Sequence, residues 1–175
     1  MINMLRYLAL FCCLFVGMQL VASEKPTDAE RKAVLKLAND FKTAMISHDH
    51  ASIVRLLHPS MVKAVGGREK MIELLKAEDA KNKAAGIEIE SVDFTSTGDA
   101  YTGSTSRITF VNSVMVLKSP GVKMRSKSFF IAFVPKGANR WYMLDGTLMT
   151  GTQFQQMFPG MPDDLKLPSV EKTQL

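Results

Sequence analysis

The sequence predicts an α+β fold: three N-terminal helices packed on a curved antiparallel sheet. Two observations predict it. Apolar residues recur at helical spacing through the first half of the chain and alternate at strand spacing through the second. Two tight turns, "SPG" at 119–121 and "KGAN" at 136–139, then join successive strands closely enough to require antiparallel pairing.

The first helix opens at "PTDAERKAVLKLANDFKTAMISH". Thr27 can accept from the first turn, Glu30 stands three residues on, and Asp28 suits the positive end of a helix dipole. Apolar residues at 34, 37, 38, 41, 44 and 45 form one face, so the helix runs to about 47. "ASIVRLLH" predicts a short second helix, stopped by Pro59. The third spans the stretch after Gly66 and Gly67, with Met71, Ile72, Leu74 and Leu75 as its buried side and Gly86 just past its end.

Strands follow. "IEIESVDFTST" shifts phase at Glu90-Ser91, which predicts a bulge there. "AYTGSTSRITFVNSVMVLK" reads as one long strand, "VKMRSKSFFIAFVP" as the next, and "RWYMLDGTLM" as the last. The run "FFIAFV" is apolar on both faces, so something must cover each: a second copy in a homodimer, or the chain's own tail. Residues 151–175 form a proline-rich tail, with one helical turn near 152–158. After it, Pro159, Pro162 and Pro168 keep the chain extended, partly packed and disordered toward its end.

Residues 1–23 have the pattern of a secretory signal peptide: Arg6, the apolar run at 7–18, then small residues in "VAS" before the charged "EKP". The expected location is periplasmic or secreted, with no stable membrane anchor after the signal is removed. Cys12 and Cys13 lie inside the apolar run, so residues 24–175 contain no cysteine and must be held by a core without disulfides. One domain, 24–150, is expected before the tail. The net charge of +5 is spread among interleaved acids and bases, which argues against a nucleic-acid partner. No cofactor motif is present.

Three helices followed by an antiparallel sheet resembles the nuclear transport factor 2-like superfamily, which includes the SnoaL-like and ketosteroid isomerase-like proteins. The resemblance is carried by "ISHDHASIVRLLHPS", "VGGREKMIELLK" and "RWYMLDGT", and covers about residues 28–150. It implies a cone, a cystatin-like roll whose sheet curls around the helices and leaves a pocket at its open end. It implies no single function, because members include isomerases, dehydratases, cyclases and non-catalytic binding modules. The isomerase mechanism is not carried over, since no tyrosine stands on the first helix.

Several side chains are candidates for chemistry. All three histidines lie in "SHDHASIVRLLHPS". His48 and His50 flank Asp49 at a helix joint, where a polar linker with Asp49 or His50 as a cap is expected and no metal site is. His58 ends an apolar helix face and is the histidine to test for function. On the last strand, Asp145 shares a face with Trp141 and Met143; if that face lines the pocket, it is a carboxylate suited to acid–base work. The catalytic candidates are therefore Asp145 and His58. The ligand-binding candidates are Trp141, Met143, Tyr101 and Phe110, as walls of an apolar pocket. Lys123, Arg125 and Lys127 alternate along one strand, as a solvated stripe or an anion-facing one. Two functional readings follow: an exported module binding a small apolar ligand or dimerising, or a small SnoaL-like isomerase, dehydratase or cyclase using the Asp/His pair.

Overall fold

The computed structural model describes residues 23–175. The expected signal segment lies outside the described residues, apart from Ser23. Among the described residues, the fold is α+β, with five helices and a five-stranded antiparallel sheet that does not close. No described helix is long and apolar enough to cross a membrane.

Helix α1 (Asp28–Ile46) starts at a complete capping box: Thr27 Oγ1 accepts from the Glu30 N–H, and the Glu30 carboxylate accepts from the Thr27 N–H. Its buried face is Val34, Leu37, Ala38, Phe41 and Ala44, as the spacing predicts. Helix α2 (His50–Leu56) follows, and Asp49 caps it by accepting from the Ser52 N–H. Pro59 does not simply stop the chain's helical course, as expected; it opens a further helix, α3 (Pro59–Ala64). Proline suits a first helical position, where its missing N–H would have had no partner, and His58 supplies the cap. Helix α4 (Arg68–Ala84) has the expected extent, and Gly86 takes the left-handed conformation past its end. Its expected buried side is not buried: no residue of α4 is, and Leu74 is exposed. The reason is its place, since α4 rests on α2 and α3 rather than on the sheet.

The sheet order is β1 (Glu88–Thr102), β2 (Ser106–Ser119), β3 (Val122–Pro135), β4 (Tyr142–Asp145), with β5 (Glu171–Gln174) also paired to β3. The register shifts between Ile89 and Ser91, where the bulge was expected. The single strand expected over 100–118 is instead broken at 103–105. Gly103 N–H donates to Ser106 O at 2.9 Å, and the chain reverses into the β1–β2 hairpin. The last strand is also shorter than expected, because the peptide turns at Gly146, where the Phe129 ring leaves no room for a side chain.

Strand β3 is buried on both faces. Phe130 and Ala132 pack against α1 with Val34, Phe41, Val111 and Met143. Phe129, Ile131 and Phe133 pack on the other side with Ile108, Phe110 and Leu144. The second face is covered by the chain's own tail. Helix α5 (Gly151–Met157), started by a Thr150–Gln153 capping box, buries Phe154 there, and Phe158 and Met161 follow it. The helical turn expected near 152–158 is α5, and the chain beyond it is ordered where terminal disorder was expected: β5 pairs Met124–Lys127 near the C-terminus. The basic stripe is largely paired at the surface, Lys123 with Glu90 at 2.6 Å and Lys127 with Glu171 at 3.1 Å. Exposed pairs of this kind contribute little stability.

The start of α1 is tied to β2 by one charged cluster. Arg107 Nε donates to Glu30 Oε1 at 2.7 Å, and its Nη1 donates to Glu24 Oε2 at 2.9 Å and to Thr102 Oγ1 at 2.7 Å. Burial works against the Glu30 charge, but the Thr27 N–H and the Arg107 guanidinium outweigh it and hold the carboxyl below its usual value of 4.5. A carboxyl whose pKa is lowered by folding stabilises the fold above its unfolded pKa, and that contribution is lost as the pH falls through the folded pKa. Glu30→Gln should therefore cost about 1–2 kcal/mol at neutral pH, the scale of a charged hydrogen-bonded contact. That difference should shrink as the pH falls below the ordinary carboxyl value of 4.5 and the Glu30 side chain takes up its proton. Urea unfolding of both proteins across that pH range checks it; a difference constant with pH would assign the effect to packing.

Candidate functional site

The strongest site lies where the β1–β2 turn, the end of β3, the start of α3 and the end of α5 meet. A hollow of about 190 Å³ is lined there by His58, Ser60, Met61, Thr105, Ser106, Phe133, Pro135, Met157 and Phe158. Most of this wall is apolar, with a few polar groups among it, the usual make-up of a small-molecule site.

Local sequence explains each polar group's position. His58 must cap α3 because Pro59 begins it, and its Nδ1 accepts from the Ser60 N–H at 3.3 Å. An amide N–H can only donate, so Nδ1 carries a lone pair and the neutral ring has its proton on Nε2. The Ser60 hydroxyl, 2.6 Å from the same Nδ1, then also donates to it. The ring plane is fixed by aromatic neighbours: Tyr142 meets it edge-on with centroids 4.9 Å apart, and Phe133 lies at 5.5 Å.

Ser106 is the first residue of β2 and stands opposite Pro135. The residue is 7% exposed. Its hydroxyl is the only buried side-chain nitrogen or oxygen among the described residues without a hydrogen-bond partner. Buried hydroxyls are nearly always paired, because leaving one unmade costs about 1–3 kcal/mol. Ser106 is also one of the residues that line the hollow, with its oxygen closed off from solvent.

The sequence-predicted residues are not brought together. Asp145 is exposed; its Oδ1 accepts from the Thr147 N–H at 2.8 Å, and it borders a separate open hollow of about 500 Å³ beside Leu148 and Gln153. His58 and Asp145 thus line different depressions, each already bonded to a near neighbour in sequence. Trp141 and Met143 sit on the α1 side of the sheet, with Met143 fully buried. Tyr101 and Phe110 belong to the opposite side, in the cluster that also supplies Phe133 and Phe158 to the hollow. Burial, helped by the Asp99 charge, raises the Tyr101 phenol above its ordinary value, so it remains a neutral donor. Sequence reading missed Ser106, Thr105, Phe133, Met157 and Phe158. The signal available was the "GSTS" run at 103–106, turn-forming residues inside a supposed strand.

His48 and His50, expected as a polar linker, converge on one partner. His48 Nδ1 and His50 Nε2 both donate to one oxygen of Asp79 on α4, at 2.6 and 2.9 Å. Two ligands of a tetrahedral metal ion stand about 3.3 Å apart, so these contacts are hydrogen bonds. Among the described residues no group of three such side chains is disposed to hold a metal. A larger hollow of about 420 Å³ beside this joint contains Arg55 and Arg140, but its polar groups bond one another: Arg55 to Ser52, Ser52 to Asp49, and Arg140 to the Arg55 carbonyl.

Compared with known proteins, the chain matches no family model, no curated protein and no solved structure.

The two histidines act as a clamp between the α1–α2 joint and α4, a helix with no buried residue of its own. Asp79→Ala should therefore raise amide hydrogen exchange throughout α4 about tenfold, equivalent to about 1.4 kcal/mol of local opening. The midpoint of global unfolding should move by no more than a degree or two. Exchange followed by mass spectrometry checks both; unchanged exchange in α4 would show that the clamp carries no load.

Proposed function

We propose that the chain is an exported small-ligand-binding module of nuclear transport factor 2-like architecture, with its ligand in the hollow between His58 and Ser106. The observation that carries this reading is a mostly apolar hollow lined in part by Ser106, whose buried hydroxyl has no partner in the fold. A fold that retains such a group without a partner of its own is explained when a ligand supplies the partner. The apolar run at 7–18 and the small residues at 21–23 support export. The helices before an antiparallel sheet support the architecture.

A binding role is preferred over catalysis because Asp145 and His58 border different hollows and each is engaged locally. General acid–base work needs both groups within reach of one substrate. The reading does not require a second copy of the chain, since α5 covers the outer face of β3.

Ser106→Ala separates a hydroxyl kept for a ligand from one kept for the fold. In ligand-free protein the variant should be as stable as the parent or more stable, by up to about 1 kcal/mol, because an unpaired buried hydroxyl is removed. Native mass spectrometry of protein taken from the exported fraction should show a small bound molecule on the parent and much less on the variant. A loss of more than about 1 kcal/mol, with no change in bound molecules, would make the hydroxyl structural and contradict the reading.

A further inference from the structure

Strand β3 has two occupants along one edge. β4 pairs Phe130–Phe133, and β5 pairs Met124–Lys127. They are held very differently. β4 buries Met143 and Leu144, whereas each of the four residues of β5 is exposed. The hold of β5 on β3 is main-chain pairing, continued by the Leu175 N–H to Lys123 O at 2.8 Å, and one exposed ion pair, Lys127 with Glu171. A four-residue edge strand held this way resists opening weakly. The tail's last side chain in the core clusters is Leu167, so opening needs only the chain from Pro168 onward to lift. Lifted, β5 uncovers a row of unpaired β3 main-chain groups, a template for an added strand.

The side chains along that edge specify what it fits. Lys123, Arg125 and Lys127 are exposed and share one face, since strand side chains alternate. Lys123 is matched by Glu90 of β1, and Lys127 by Glu171 of β5. Arg125 stands between them with no acidic partner among the described residues, and β5 places Thr173 directly opposite it. β5 therefore matches the main chain of this edge but not all of its charge. We infer that the Met124–Lys127 edge of β3 is a docking site for an extended acidic segment of another protein, with β5 as the chain's own, weaker occupant. The segment runs antiparallel to β3, as β5 does, with carboxylates at alternate positions, one opposite Arg125 and one opposite Lys127. Main-chain pairing supplies the affinity, and the two carboxylates supply the preference. The edge shares no residue with the hollow beside His58, so the two sites stand or fall separately.

Peptides copying residues 169–175, blocked at both ends, test this. They are titrated into isotopically labelled chain 24–175 and followed by NMR at Met124–Lys127. The parent peptide carries one carboxylate side chain, its Glu171→Gln form none and its Thr173→Glu form two. All three should perturb Met124–Lys127, with affinity rising about threefold for each carboxylate, the scale of a cross-strand charge pair. Arg125→Gln in the protein should abolish the gain from the second carboxylate and keep the gain from the first. Thr173→Glu in the protein should weaken every peptide about threefold, because β5 then competes better. Amides of β5 should exchange with solvent at least about 100-fold faster than those of the β2–β3 ladder. Equal affinity of the three peptides would overturn the acidic partner. No perturbation at Met124–Lys127 by any peptide, or a β5 as protected as the β2–β3 ladder, would overturn the site. A dimer that forms with rising concentration by exchange of β5 would give the edge to a second copy and overturn the inference as well.

Discussion

The structure depends on one constraint: β3 carries apolar side chains on both faces from Phe129 to Phe133, and both must be kept from water. Each aromatic side chain buried there contributes roughly 2–3 kcal/mol of transfer free energy. One face is closed by α1, through Val34, Leu37, Ala38 and Phe41 meeting Phe130. The other needs a second cover. The chain supplies it by turning at Gly146 and laying α5 across Phe110, Phe129 and Phe133. The ring contacts, such as Phe133–Phe158 at 5.3 Å and Phe154–Phe158 at 5.2 Å, are in the favoured range for aromatic pairs. Phe154, Phe158 and Met161 are therefore part of the core.

The hollow follows from the same arrangement. Phe158 and Met157 reach the β1–β2 turn because the chain just after α5 is fastened there. Ser104 N–H and the Ser104 hydroxyl both donate to Pro159 O, at 3.0 and 2.8 Å, and Gly103 is so close to that carbonyl that a side chain would not fit. The fastening sets the apolar wall beside Ser106 and His58. Packing of β3 thus places the walls, and the proline-started helix α3 places the imidazole.

Much of the fold was legible in the sequence, where one local rule decided the outcome. Periodicity from Val34 to Met45 and the Thr27–Glu30 pair gave α1 with its correct face and start. The phase shift at Glu90-Ser91 gave the bulge. Pro59 misled, because a proline can end one helix or start another, and only the His58 cap decides. The "GSTS" turn was hidden inside a run whose flanks alternate well; the helix near 152–158 was legible, but the later prolines hid the pairing of β5, because they exclude a helix and not a short edge strand. The candidate site was less legible still. His58 was visible as an isolated titratable group, whereas Ser106 gains meaning only from burial and a missing partner, which are tertiary properties. Asp145 kept the predicted strand face yet ended exposed, because the strand stops at that residue.

The claim on which the rest stands is that α5 is core and not appendage. Phe154 is 1% exposed and packs against Phe110 and Phe158. Thermal and urea unfolding of Phe154→Ala tests the claim directly, with Leu148→Ala at a site 91% exposed as the control. The account predicts a loss of about 3–5 kcal/mol for Phe154→Ala, a fall in Tm of roughly 10 °C, and no measurable change for the control. A Phe154→Ala protein within about 1 kcal/mol of the parent would contradict it, because the second face of β3 would then be held by something other than the tail.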